Sequence, residues 1–379
     1  GLRGQGVFDY LSSTTRSDDY IFFLDSMNTY ANTFELIKTT NIAEFPQASG
    51  ENIYEHWLPY EDELLVQKNG ENLSLYSNNA NLDGCFYLSP NGLSGSGNIF
   101  LEDSELNSNL YFFNHNEFNA DTADFVLHRS DDFKAIAFES VNLKTKINLL
   151  KRTGTFQSNG NNSFVEFPEN QYICFIDELK WYMDKSLVEL GVSEGGSGSR
   201  FVSTHPEQDS LFFISKRASY SLKDYIIEAE EVDEIEVADA LLFPPDGFVT
   251  VETEAIMRSF KGASLIVNRE KRYHELFEAD LTIHGGKSYS GKASVNYKGR
   301  GVNEQLIRFD TLYVDCEYLD YIEKESSRTV LSLTNRIKPY DNEKQNDILI
   351  SIDAQSFTQQ DYTYITQLAA ILKDSGATG

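Results

Sequence analysis

Residues 1–36, GLRGQGVFDYLSSTTRSDDYIFFLDSMNTYANTFEL, align without a gap against residues 92–127, GLSGSGNIFLEDSELNSNLYFFNHNEFNADTADFVL. Eleven of the 36 positions are identical: Gly1/Gly92, Leu2/Leu93, Gly4/Gly95, Gly6/Gly97, Ser13/Ser104, Ser17/Ser108, Tyr20/Tyr111, Phe22/Phe113, Asn28/Asn119, Phe34/Phe125 and Leu36/Leu127. A self-match of this kind marks a repeated supersecondary unit, which buries its apolar face by stacking on its neighbours. The first copy has nothing ahead of it, so the chain is expected to start inside a longer array.

The glycines of the repeat invite a nucleotide-binding reading. A dinucleotide or kinase loop, however, needs GxGxxG in its own strand–turn–helix or hairpin context. Here Gly4-x-Gly6 and Gly95-x-Gly97 lead into strand-forming Phe, Ile and Tyr residues, and the second run follows the turn Ser89-Pro90-Asn91-Gly92. Glycines two apart lie on one face of a strand, so the expectation is packing: a flat face that another layer approaches closely.

A shorter pattern of strand, tight turn and strand recurs. Asn119–Phe125, the turn Arg129–Asp132 and Ala135–Phe138 make one instance. Val237–Phe243, turning at Pro244-Pro245-Asp246-Gly247 into Val249–Val251, make another. Tyr172–Phe175 through Leu179–Trp181, turning at Asp184-Lys185 into Leu187–Leu190, are a looser third. Gly291–Tyr297, Ile307–Phe309 and Leu312–Val314 alternate like strands, and turn signals stand at Asn69-Gly70, Asn159-Gly160, Gly285-Gly286 and Lys298–Gly301. Many short strands with frequent turns indicate a sandwich, barrel or solenoid. Helix signals are scarce. Asp361–Lys373 places Tyr364, Ile365, Leu368, Ile371 and Leu372 on one face, while Ser221–Glu231 suits either a helix or a strand.

Composition agrees. The chain is 40% hydrophobic and 13% aromatic, with 21 Tyr and 26 Phe against only 3 Met and 8 Pro, which favours strands with a core over disorder. A net charge of −27 repels nucleic-acid phosphates and anionic headgroups, so no nucleic-acid partner is expected. No run approaches the roughly 18 apolar residues of a membrane-spanning helix. The three cysteines, Cys85, Cys174 and Cys316, are far apart and form no CxxC, which argues against a disulfide framework or a zinc site.

Chemistry is hard to find. His56, His115, His128, His205, His274 and His284 show no metal-ligand spacing, and Gly95-Ser96-Gly97 and Gly196-Ser197-Gly198 lack the GxSxG elbow. Carboxylates near aromatics are Glu55, beside His56 and Trp57, and Asp177 and Glu178, before Trp181 and Tyr182. Two carboxyls ~5–9 Å apart would suit glycoside hydrolysis, but exposed acids alternating with buried Trp account for the same pattern. The Glu228–Glu236 run reads as a solvated face, and Asp341–Asp347 lacks the glycine and final Glu of a calcium loop. No catalytic, cofactor-binding or metal residue is therefore assigned, and no cofactor is expected.

The Gly-x-Gly strand starts, the Ala-Asp-x-Ala segments and stretches such as PENQYICFIDELKWYMDK and VADALLFPPDGFVTVE resemble very large repeat-containing envelope proteins of the Bacteroidota, over about residues 1–320. The Ala-Asp-x-Ala, turn, strand pattern is in turn similar to the β-jellyroll modules of OstA/LptA-type lipopolysaccharide-transport proteins. That resemblance implies an open, V-shaped β-jellyroll whose apolar interior holds acyl chains. The resemblance to the Bacteroidota proteins implies O-glycosylation of Asp-Ser/Thr-apolar tripeptides, which occur at Asp25-Ser26-Met27, Asp121-Thr122-Ala123, Asp209-Ser210-Leu211 and Asp310-Thr311-Leu312.

The expected fold is thus all-β: an elongated, repetitive β-jellyroll- or β-solenoid-like array of short strands with at most a short C-terminal helix. Repeated units fill 1–192, a flexible loop or linker (SEGGSGS) spans 193–199, further β units fill 200–326, and 327–379 diverge. The expected role is a non-catalytic structural or binding segment of a large protein of the cell envelope (periplasm, outer membrane or cell surface). Neighbouring repeats of a longer chain are its expected partners, with a lipid, lipopolysaccharide or glycan as ligand. Alternatives are a carbohydrate-active enzyme or carbohydrate-binding module on a solenoid or sandwich, and an adhesin or fibre stalk.

Overall fold

The computed structural model describes residues 1–40, 43–160, 163–191, 198–267, 272, 274–297 and 304–315. Most of these residues form antiparallel β-strands joined by turns, and the helical turns among them are 3-10 turns at Met183–Lys185, Pro206–Gln208 and Pro245–Gly247. The all-β expectation holds. The expected helix at Asp361–Lys373, the 327–379 segment, Asp341–Asp347, the Lys298–Gly301 turn, Cys316 and most of the 193–199 stretch lie outside the described residues.

The chain opens as a meander of β1 (Leu2–Tyr10), β2 (Ser13–Phe22) and β3 (Met27–Leu36). A small hairpin of β4 (Thr39–Thr40) and β5 (Glu44–Phe45) precedes β6 (Ala48–Leu58). Next come β7 (Glu63–Lys68), β8 (Leu73–Leu75), β9 (Ala80–Ser89), β10 (Gly92–Phe100), β11 (Ser104–Phe113), β12 (Glu117–His128) and β13 (Ile136–Asn148). The pairing of β6 shows the plan. Its Ala48 and Ser49 pair with β8, whereas its Ile53–Leu58 stretch pairs with β7. Strand β9 closes both, with Leu82 on β8 and Phe86 on β7. A long strand therefore runs through two layers and bends between them, while a short strand fills one layer.

The bends have identifiable residues. Asn52 takes a left-handed φ of 50° in β6, a conformation that Asn tolerates better than most residues. Elsewhere a bulge supplies the bend, at Gly4/Gly6 in β1, at Gly95/Gly97 in β10 and around Ala120–Phe125 in β12. Stretches that read as separate short strands in the sequence are thus halves of strands up to 13 residues long.

Beyond β13 the two halves separate. Strands β14 (Thr153–Ser158), β17 (Glu178–Tyr182), β18 (Leu187–Gly191), β21 (Arg217–Ser221), β22 (Ile226–Glu230) and β25 (Val249–Val251) continue one layer. Strands β15 (Val165–Phe167), β16 (Tyr172–Phe175), β19 (Ser199–Ser203) and β20 (Phe212–Ser215) continue the other. Asn142, at φ 58°, marks the bend of β13, between Ser140 facing β15 and Leu143 facing β14. A separate sheet contains β23 (Ile235–Val237), β24 (Ala240–Phe243), β26 (Phe260–Val267), β27 (His274–Gly285), β28 (Ser288–Tyr297) and β29 (Gln305–Asp315).

Two local expectations change. The Val237–Phe243 stretch is two strands, because Ala238 takes φ 53° and a tight turn at Ala238-Asp239 folds β24 back on β23. The following Pro244–Gly247 turn does not close a hairpin; it carries the chain from β24 in one sheet to β25 in the other. The alternative left open at Ser221–Glu231 resolves as strand β22.

The repeat is visible in the register. Leu2, Gly4 and Gly6 face Phe22, Tyr20 and Ser17; their counterparts Leu93, Gly95 and Gly97 face Phe113, Tyr111 and Ser108. The inward face shifts by one residue at each bend. In β2 the buried positions run Ser13, Thr15, Ser17 and then Tyr20; in β11 they run Ser104, Leu106, Ser108 and then Tyr111. The shift keeps the apolar set inside after the strand turns the corner, since without it every later side chain would point outward. The hydroxyl of Ser108 holds its corner, donating to the Thr122 carbonyl at 2.6 Å.

The space between the layers is filled. Tyr111, Phe113 and Phe118 pack together near Phe86, and the Phe125 ring lies 4.5 Å from Phe156 and 5.5 Å from Trp181. Further along, Phe167 meets Tyr220 at 4.7 Å and Phe201 meets Phe213 at 5.0 Å. Opposite the bends, the turns of the two layers are tied together. The Tyr10 hydroxyl donates to the Asp62 carbonyl at 2.6 Å, and the Tyr76 hydroxyl to the Glu117 carbonyl at 2.9 Å. Buried Asn170 donates to the carbonyls of Tyr225 (2.7 Å) and Glu252 (3.1 Å), and Gln208 donates to the Ala255 carbonyl at 2.6 Å. Arg129 pairs with Asp131 and Glu169 and lies over the Tyr225 ring. The open V-shaped groove implied by the jellyroll resemblance is, among the described residues, a closed and packed interior.

Candidate functional site

Of the acids singled out in the sequence, Glu55 is the unusual one. On β6 it points inward, on the same face as Trp57, and is fully buried. This differs from the expected exposed acid beside a buried Trp. Its Oε1 accepts a 2.6 Å hydrogen bond from Thr15, on the half of β2 that lies in the opposite layer. Its Oε2 has no hydrogen-bond partner, and neither has the buried Nε1 of Trp57. Burial, partly offset by Thr15, pushes the carboxyl up from 4.5 to about 7.

The residues around it were not legible as a group. Phe8 and Tyr10 of β1 approach the Trp57 ring at 5.1 and 6.2 Å. Tyr20 donates to the Thr15 carbonyl at 2.9 Å, and burial together with the Glu55 charge raises its phenol to about 12. Ser17 and Thr29 share a buried hydroxyl–hydroxyl contact of 2.6 Å. The second copy shows what this replaces: Thr15, Thr29 and Glu55 correspond to Leu106, Ala120 and Thr145 through the β11, β12 and β13 registers. The amino-terminal unit therefore carries a buried polar cluster where the next unit is more apolar. The signal that could have found Glu55 was its parity with Trp57, which places an acid on the inward face.

The other candidates disperse. Trp181 is in the core, while Glu178 points to the opposite face of β17 and Asp177 is exposed. Asp177 and Glu178 border a surface depression with Gln157, Ser158, Phe175 and Arg200. The Glu228–Glu236 run is the solvated face expected of it: Ile227, Ala229, Val232, Ile235 and Val237 are buried and the acids between them point to water. The histidines serve locally. His115 meets Glu44 at 2.6 Å, His128 meets Glu105 at 3.1 Å, and His205 accepts from the Glu207 amide. Among the described residues, no group of three or more His, Cys, Asp or Glu could hold a metal ion. Cys85 and Cys174 are free thiols, and complete burial pushes the Cys174 thiol well up, away from reactive thiolate.

The surface offers three further features. Tyr30 and Tyr54 lie with tilted rings 5.3 Å apart on the outer face of β3 and β6, and Asn28 there bonds both Tyr54 and His56. In the Asp-Ser/Thr tripeptides, Thr122, Ser210 and Thr311 are exposed and Ser26 is half-buried. Finally, among the described residues the outer edge of β1 has no partner strand: β1 bonds β2, whereas its counterpart β10 bonds both β9 and β11. The Gly95-x-Gly97 pair does serve close packing, but the partner is the neighbouring strand β9 rather than another layer.

No protein-family model, no curated protein and no solved structure matches this chain.

Proposed function

We infer that the chain is a non-catalytic structural segment of a larger β array, built to scaffold rather than to carry, and that neighbouring repeats are its partners. The observation that supports this most is the interior: aromatic and aliphatic side chains fill it, and turn-to-turn bonds bridge its open side from Tyr10–Asp62 to Gln208–Ala255. A lipid carrier of the jellyroll type needs an unfilled apolar groove, so a stalk or scaffold suits these residues better. Placement in a bacterial cell envelope rests on the sequence resemblance.

Titration with a fluorescent fatty acid and with lipopolysaccharide tests this role. The scaffold predicts no saturable binding. One acyl chain bound per molecule, with quenching of Trp57 or Trp181, would overturn it in favour of a carrier.

Glycan binding is the second reading, favoured by the outer-face patch of Tyr30, Tyr54, Asn28 and His56. Aromatic faces beside amide and imidazole groups can stack on and hydrogen-bond sugars. Retention of a glycan from a mixed library that is lost in Tyr30→Ala would establish it.

A further inference from the structure

Strand β1 has the residues of a strand that is paired on both sides, but among the described residues it has a partner on only one. In the internal copy, β9 and β10 pair from Gly92↔Ser89 to Phe100↔Asn81 and cross the corner together. Three glycines make that approach possible. A Cβ on Gly84 would lie 1.9 Å from the Ser96 carbonyl oxygen, one on Gly97 2.2 Å from that of Asp83, and one on Gly95 2.5 Å from that of Cys85. No side chain fits at those distances. In β1, Gly4 and Gly6 keep the same register to β2 and the same bulge, yet a Cβ on either would meet nothing within 4 Å. Likewise Leu93 is 2% exposed, whereas its counterpart Leu2 is 75% exposed. The glycines and the leucine answer a contact that is present at β10 and, among the described residues, vacant at β1.

We propose that the outer edge of β1 is an acceptor for an antiparallel strand of the β9 type, supplied by a further unit of the same array and joined ahead of Gly1 by a two-residue turn. This rests on the scaffold role above and specifies its partner. The β9–β10 register states what the incoming strand must carry. It needs glycine opposite Gly6, as Gly84 stands opposite Gly97, because any side chain there would strike the carbonyl of the residue matching Ser96, which is Gln5. It needs apolar residues opposite Leu2 and Phe8, as Leu88 and Leu82 stand opposite Leu93 and Ile99. The turn matches Pro90-Asn91, which delivers Ser89 into Gly92, the counterpart of Gly1. An unpaired edge with exposed apolar residues accepts added strands in general; the glycine requirement makes this edge selective.

The test appends a second copy of residues 80–91, ANLDGCFYLSPN, ahead of Gly1 of the full chain. The expected result is a higher Tm and amide exchange in Leu2–Tyr10 slowed on the order of tenfold or more. Two variants make the result specific. Gly84→Val in the appended copy abolishes the protection. Gly4→Val leaves the unextended chain as stable as before, because space there is empty, yet removes the gain from the appended strand. Unchanged exchange in β1 with the appended strand, or equal protection by the Val-bearing copy, overturns the proposal. Protection of β1 in the unextended chain that grows with protein concentration would overturn the in-chain source and assign the edge to a second molecule. Lipid or glycan binding would defeat the scaffold role without altering these exchange data, so the two failures are distinguishable.

Discussion

Thr15 and Glu55 meet across the interior from opposite layers, the hydroxyl donating to the carboxyl at 2.6 Å while the second carboxyl oxygen stays unpartnered. Their counterparts in the next unit are Leu106 and Thr145, so this cross-layer carboxyl belongs to the amino-terminal unit and not to the repeat.

The first prediction concerns pH. Glu55 titrates near 7 when folded and near 4.5 when exposed, so between those values the folded state holds a proton that the unfolded state has released. The contribution of Glu55 to stability is therefore fully present below about 4.5, falls as pH rises to about 7, and levels off above. A tenfold change in an equilibrium being about 1.4 kcal/mol, the loss is on the order of 3 kcal/mol. Glu55→Gln stays neutral and can still accept from Thr15. Its urea midpoint, followed by Trp fluorescence, should be nearly flat over this range and above that of the native chain at pH 8. A parallel decline in both proteins would refute the assignment.

A matched pair of glycine substitutions tests the corner geometry. Gly95→Ala must displace the Cys85 carbonyl of β9 and should cost roughly 1–3 kcal/mol, the usual range for forced overpacking. Gly4→Ala, at the equivalent position, meets no atom and should stay within about 0.5 kcal/mol. Equal losses in denaturant unfolding would show that the backbone conformation, and not the neighbouring strand, requires the glycine.

The turn-to-turn closure can be loosened at one residue. Asn170→Ala strands the carbonyls of Tyr225 and Glu252, which its amide now serves. A loss of roughly 2–3 kcal/mol is expected, together with faster amide exchange in β16 and β22. If exchange stays unchanged there, the bonds do not hold the layers together.

Core filling is tested at Phe125, the repeat counterpart of Phe34, with both fully buried. Phe125→Ala removes the ring between Phe156 and Trp181 and should cost roughly 3–5 kcal/mol. A shift in Trp181 emission should accompany it. A loss below 1 kcal/mol would reveal an interior looser than the packing described.

Thr122, Ser210 and Thr311 of the expected glycosylation tripeptides are exposed residues. Intact mass of protein from its native source should exceed the bare chain by whole glycan units. A mass equal to the bare chain would remove the idea.

Much of the architecture could be read from residue patterns. The eleven identities between 1–36 and 92–127 predicted a repeated β unit, and its register is repeated residue for residue, from Leu2↔Phe22 to Leu93↔Phe113. Strand preference was legible because alternation and aromatic content are local properties. The bends were not: a bulge at Gly95/Gly97 or a left-handed Asn142 breaks the alternation and so imitates a turn between two short strands. The buried acid was partly legible. Its parity with Trp57 is in the sequence, but burial of a carboxylate is so costly that exposure is the default expectation.

By itself the sequence determined the secondary-structure class, the repeat spacing and the absence of local catalytic motifs, since each depends on residues close in the chain or on matching them along it. Only the tertiary structure decided whether the glycines admit another layer or a neighbouring strand, whether the interior is a groove or a packed core, and which edge lacks a partner among the described residues. Those outcomes depend on which distant backbones meet: Gly97 against Asp83 but nothing against Gly6, Asn170 against Tyr225, Thr15 against Glu55. Close approach between separate strands leaves no pattern along a single one.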